Sequence, residues 1–195
     1  MSIFTTDSKR YIMKILQYLA IVACFFFGSC QNQKRSNKLY EEGISLELAQ
    51  LRKQEIKDLK YHLSFSIPEK KQELVKGEMK ASFTLCKSQE IILDFRESED
   101  KIQEVYVNGK SAEYIFQNEH IILPKASTIE GKNEVYIRFV AGNQSLNRND
   151  EFLYTLLVPD RARTVFPCFE QPNLKAEFTL QLEVPSEWEA VSNTS

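Results

Sequence analysis

Few side chains in this 195-residue sequence could do chemistry. There are two histidines, His62 and His120, and four cysteines, Cys24, Cys30, Cys86 and Cys168, with no C-x-x-C pair among them. Zinc is held by His, Cys and carboxylate ligands that familiar short spacings bring together. None of those spacings occurs here, so no metal or other cofactor is expected in this chain. His62 falls on the polar side of a strand-like run and His120 beside a turn, so both are expected at the surface, solvated or locally hydrogen-bonded. The acids Glu97, Glu99 and Asp100 follow an apolar run and read as a solvated loop, because paired-carboxylate catalysis would need a pocket around them. A glycine-rich phosphate loop and a G-x-S-x-G elbow are both missing, and no catalytic residue is assigned.

The elements that could position a site are mostly strands. The chain is 43% hydrophobic with 25 Lys+Arg against 27 Asp+Glu, enough for one core and without the basic surface that a nucleic-acid partner requires. Ile44, Leu46, Leu48, Ala49 and Leu51 predict a short helix over 43–53 with Ser45 as its N-cap. The period then switches to two: Leu59, Tyr61, Leu63, Phe65 and Ile67 face one way and Lys60, His62, Ser64 and Ser66 the other. Further strands are expected at 78–85, 90–95, 101–107, 112–116, 120–123 and 134–140, separated by turns at Asn108-Gly109, Gln117-Asn118-Glu119 and Glu130-Gly131-Lys132-Asn133. Seven strands at this spacing without long helices predict a mostly β fold, an antiparallel β-sandwich behind one short N-terminal helix.

Residues 1–30 read as an address. Lys9, Arg10 and Lys14 precede the apolar run Ile15–Phe27, too short for a permanent span and suited to a secretory signal. Gly28, Ser29 and Cys30 then resemble the lipobox of bacterial lipoproteins, with Phe27 a departure at its usually aliphatic first position. The resemblance implies lipid attachment at Cys30 and a membrane-anchored place in the cell envelope, on the periplasmic side or the outer surface. An ordinary signal cut near Ser29 and an uncut signal anchor are the other readings. Residues 31–42 are expected to be a polar tether and 43–195 the folded domain. Cys86 and Cys168 would then sit in a compartment that permits a disulfide, and either a bridge or two free thiols fits.

The stretch from Tyr154 to Asn193 carries a specific pattern. Its core RTVFPCFEQPNLKAEF, Arg163 to Phe178, is followed by Val184-Pro185, Trp188 and Ala190-Val191-Ser192-Asn193. In order and spacing this resembles the N-terminal β-domain of the aminopeptidase N family of zinc metallopeptidases, and the likeness extends from Gly43 to Ser195. Pro167 and Pro172 fix φ and bias the preceding residues to extended geometry, so a rigid corner is expected between two strands. Phe166, Phe169 and Leu174 are expected to plug the core. Arg163 is expected to tie down carbonyls or the Glu170 carboxylate, and Cys168, Glu170 and Lys175 complete a structural motif. Phe178, Leu180, Leu182 and Val184 alternate with polar residues, which predicts a strand with one buried face.

The resemblance implies a saddle-like domain, here lacking its last strands, that packs over a separate catalytic domain. That domain would hold zinc through a His-Glu-x-x-His motif and a downstream Glu and would take peptides by their N-terminus; this chain has neither that motif nor the family's Gly-x-Met-Glu-Asn. The family's β-domain also lends a loop, typically Thr-Gln-x-Glu, to the substrate's amine. Here Thr155 is kept, Leu156 stands for the Gln and Val158 for the Glu. A cationic amine finds no partner on Leu or Val. Three readings follow: amine recognition by the catalytic domain alone, which is preferred, an altered choice of first residue, or a relative that has drifted from peptidase function. The expectation is the front part of an envelope-anchored zinc aminopeptidase, inactive by itself. The alternative is a non-catalytic β-sandwich lipoprotein that binds a peptide, protein or glycan.

Overall fold

The structure, a computed structural model, describes residues 38–149 and 151–192. The signal, Cys30, most of the tether and Asn193 to Ser195 lie outside the described residues. The chain groups into two units, Met1–Leu39 and Tyr40–Ser195, and every named element belongs to the second.

Helix α1 (Leu46–Glu55) starts where its cap predicts, the Ser45 hydroxyl accepting from the Leu48 N–H at 3.1 Å. It runs directly into β1 (Ile56–Ser66), whose Leu59, Tyr61, Leu63 and Phe65 are buried while Lys60 and His62 are exposed, as the alternation requires. After β2 (Lys76–Leu85) and β3 (Ile91–Asp94) comes β4 (Ile102–Val107). It turns into β5 (Lys110–Ser111) through Asn108 and Gly109 at φ 52 and 75, a pair of left-handed residues suited to a tight hairpin. Strands β6 (Ile115–Gln117) and β7 (His120–Leu123) close a second hairpin through Asn118 and Glu119, and β8 (Gly131–Val140) follows.

One sheet orders its strands β11-β1-β2-β8-β4-β5, a second β3-β7-β6, and a short ribbon pairs β9 (Leu146–Arg148) with β10 (Leu153–Thr155). The core lies between the inner faces of the two larger sheets, with Phe139 of β8 meeting Phe65 of β1 and Phe95 just after β3 edge-on at centroid distances of 5.9 Å. Such edge-to-face contacts suit the ring quadrupoles. The fold is mostly β with one short helix, as the sequence predicts, but two details differ.

Strand β11 (Glu177–Glu183) lies parallel to β1, so the large sheet is not wholly antiparallel. The long connection after β8 carries the chain through the ribbon and the corner before it enters β11, and a connection of that length is what a parallel pair needs. Nor does β11 have a buried face: Phe178 is 60% and Leu180 48% exposed. They share the core side of the sheet with Tyr61 and Leu63, and the Phe178 ring stacks on Tyr61 at 5.0 Å. β11 is the edge strand of its sheet, and Phe178 and Leu180 are left largely uncovered there. Alternation reports which residues share a face, not what lies over that face.

Candidate functional site

Two regions a few residues apart could carry function: a corner from Asp160 to Gln171 that is buried from Arg163 to Phe169, and the exposed segment before it. The corner is pinned to β3 by two backbone bonds, Asp94 N–H to the Cys168 carbonyl at 2.7 Å and Cys168 N–H to the Asp94 carbonyl at 3.1 Å. The Phe169 N–H donates to the Tyr61 hydroxyl at 2.9 Å, and Phe166, Pro167, Cys168 and Phe169 are buried. Phe166 packs on Phe65 and Phe169 on Phe83, both edge-on. Leu174 is partly buried against the same core, whereas Pro172 and Lys175 are exposed.

Beneath the corner sits Asp94, fully buried at the end of an otherwise apolar strand. Arg52 of α1 grips it with two parallel bonds, Nη1 to Oδ2 at 2.8 Å and Nη2 to Oδ1 at 2.7 Å, and also donates to the Ile92 carbonyl. Nδ1 of His120 lies 2.9 Å from Oδ1, and the Glu170 N–H donates to Oδ2 at 2.8 Å. Burial alone would push the Asp94 carboxyl up, but Arg52, His120 and the Glu170 N–H together hold it below the usual carboxylate range. His120 is wholly buried, which corrects the surface position expected from its neighbouring turn. The turn is exposed, but the ring points inward to a buried carboxylate, and a polar group with such a partner tolerates burial.

Arg163 does a different job from the one expected. Its backbone N–H, not its guanidinium, binds Glu170 Oε2 at 2.8 Å. The guanidinium instead takes Asp160 through Nε at 3.0 Å and Nη2 at 2.9 Å, and Glu119 through Nη1. Burial would lower the Arg163 pKa, but Asp160 and Glu119 raise it above the ordinary value. Glu119 also meets Arg96 at 3.0 Å, so the left-handed Glu119 in the β6–β7 turn is committed to two arginines. Burial pushes the Cys168 thiol well up, and nearby Glu170 adds to it, which disfavours the thiolate. Burial likewise raises the Glu170 carboxyl. Cys86 is exposed and Cys168 buried, and both are free thiols.

The preceding segment is the opposite in character. Phe152, Tyr154, Leu156 and Val158 recur every second residue and are all exposed, Val158 to 86%, with the Phe152 and Tyr154 rings 6.0 Å apart. Thr155 is exposed, and Leu157 turns inward against the core. Bonds from Leu156 N–H to the Ser145 carbonyl and from Arg161 N–H to the Leu157 carbonyl, both 3.2 Å, hold this stripe, and the Arg163–Asp160 pair fixes its end. The Val158–Pro159 bond is cis.

The sequence reading gives Asp94, Arg52 and Asp160 no role, places Glu119 only in a turn and puts His120 at the surface. One signal could have found the hub: an aspartate inside the run IILDF, where a buried charge demands a partner. Among the described residues, no group of three or more His, Cys, Asp and Glu side chains is arranged to hold a metal ion.

The family profile that matches is the Peptidase M1 N-terminal domain, over residues 57–195. The chain is similar to aminopeptidase N of Streptomyces lividans, 35% identical over 108 residues, covering 48% of this chain and 12% of that protein. Its fold is similar to an M1 zinc metallopeptidase from Deinococcus radiodurans, with TM-score 0.51, 16% identity, and 66% of this chain and 32% of that one covered. It is also similar to leukotriene A4 hydrolase from Saccharomyces cerevisiae, with TM-score 0.53, 18% identity, and 66% and 23% covered. The chain spans about an eighth of the curated relative's length and at most about a third of these two structures. With a profile match over most of its length, the chain belongs to the Peptidase M1 N-terminal domain family.

Proposed function

We propose that this chain supplies the N-terminal β-domain of a zinc metalloaminopeptidase, scaffolding and capping a separate catalytic domain that holds the metal, and that it does not hydrolyse peptides by itself. The observation that carries this reading is the match over residues 57–195 to a domain family whose relatives are several times longer and include zinc metallopeptidases. Zinc, bound in that other domain, would supply the Lewis-acid chemistry of peptide hydrolysis. What this chain contributes is position: the buried corner holds the stripe Phe152–Val158 at the surface, where Thr155, Leu156 and Val158 border the N-terminus of a bound peptide. Leu156 and Val158 offer apolar surface to that peptide and leave its ammonium to the catalytic domain. A lipid on Cys30 holds the protein in the cell envelope, a reading supported by the basic start and apolar run that precede it.

Two experiments test this. The purified 195-residue chain should bind no stoichiometric zinc and should not turn over an aminoacyl chromogenic substrate; metal together with activity would contradict the reading. Acyl labelling should mark the native chain and fail in Cys30→Ser, and equal labelling of both would remove the anchor.

A further inference from the structure

The segment that leads into α1 is strapped over the β3-β7-β6 sheet. Asn118 Nδ2 donates to the Tyr40 carbonyl at 2.6 Å, the Tyr40 hydroxyl donates to Glu90 Oε1 at 2.7 Å, and His120 Nε2 lies 2.8 Å from the Glu41 carbonyl. The other ring nitrogen, Nδ1, lies 2.9 Å from Asp94 Oδ1. Both partners of the ring are therefore pure acceptors. A neutral imidazole carries one N–H, so one of its nitrogens would turn a lone pair toward an oxygen lone pair at contact distance. Only the doubly protonated ring donates to both.

The two ends of this bridge are not equally fixed. Asp94 is locked by Arg52 and the Glu170 N–H, deep in the core. Glu41 is exposed, next to Tyr40, which Asn118 and Glu90 hold from the sheet side. We propose that His120 is a proton-operated latch: its imidazolium form clamps the Tyr40–Glu42 strap onto β7, and loss of the ring proton releases the strap while the Asp94–Arg52 hub stays closed. Of the ionisable groups on the elements around the ring, Asp94 on β3 touches it directly. Arg52 on α1 is spent on Asp94, and Glu119 on the β6–β7 turn is spent on Arg163 and Arg96. Glu170 in the corner binds Arg163 N–H, while Glu41 on the strap reaches the ring through its carbonyl. The Tyr40 hydroxyl, pushed up to about 12 by burial and by Glu90, keeps its proton throughout and so adds no pH dependence of its own. The sign follows: the strap is closed on the acid side and opens as pH rises.

Hydrogen exchange followed by mass spectrometry on the full chain tests the latch. With intrinsic rates corrected, protection of residues 38–45 should be about tenfold lower on the alkaline side than on the acid side, while β8 stays protected. His120→Gln should flatten that profile, and Tyr40→Phe should lower protection at both pH values while keeping the fall. Ring-nitrogen NMR of the unaltered chain gives a readout that does not depend on a variant folding: both nitrogens of His120 should carry protons wherever the strap is protected. A pH-independent strap, a His120→Gln chain with the original profile, or a neutral ring under a protected strap would each overturn the proposal.

Discussion

The corner Asp160–Gln171 and the stripe Phe152–Val158 adjoin in sequence yet solve opposite problems. In the corner, two charges are buried and both have partners: Asp94 takes Arg52, His120 and the Glu170 N–H, and Arg163 takes Asp160 and Glu119. In the stripe, four large apolar side chains stand in solvent. A buried charge survives only with its partners, whereas an exposed apolar row costs little in the folded chain and becomes valuable only when something covers it. The difference separates what holds the domain together from what it presents.

Breaking the corner should therefore cost far more than altering the stripe. The largest effect is expected for Asp94→Ala, which strands the Arg52 guanidinium and the Glu170 N–H: a loss of about 3–5 kcal/mol in urea unfolding. A loss below about 1 kcal/mol would mean that water repairs the hub and that the corner is not the keystone described here. Next comes Tyr61→Phe, which removes the acceptor of the Phe169 N–H and should cost about 1–3 kcal/mol with the core otherwise intact.

The hub should also appear in acid. A carboxyl held below its unfolded value stabilises the fold above about pH 4 and loses that contribution as pH falls through the folded pKa. Acid titration of stability should accordingly be steeper in the native chain than in Asp94→Asn, and parallel curves would remove this role. The smallest effects belong to the stripe: Leu156→Ser and Val158→Glu should each shift stability by no more than about 0.5 kcal/mol. If the longer polypeptide and its Val158→Glu form cleaved free and N-terminally blocked peptides in the same ratio, the stripe would have no part in reading the amine.

How much of this was legible beforehand depended on range. The Ser45 cap, the two faces of β1 and the Asn108-Gly109 turn are local, and all three match. Strands β9 and β10 are three residues each and carry too little alternation to be read. The parallel placement of β11 and its uncovered Phe178 and Leu180 depend on where a long connection delivers the chain. The same limit hid the hub, because Arg52, His120 and Glu170 reach Asp94 across 42, 26 and 76 residues of sequence. Motif spacing marked the corner from Arg163 to Phe169, yet Asp160 and Glu119, which hold the Arg163 guanidinium, stand outside that motif.

The most direct test of the central claim is on the native product, recovered from cell envelopes with an antibody to the folded domain and measured for mass, zinc and aminoacyl-substrate hydrolysis. The account predicts a polypeptide several times longer than this chain, about one zinc per molecule and chelator-sensitive hydrolysis. A product no longer than 195 residues, free of zinc and inactive, would contradict it.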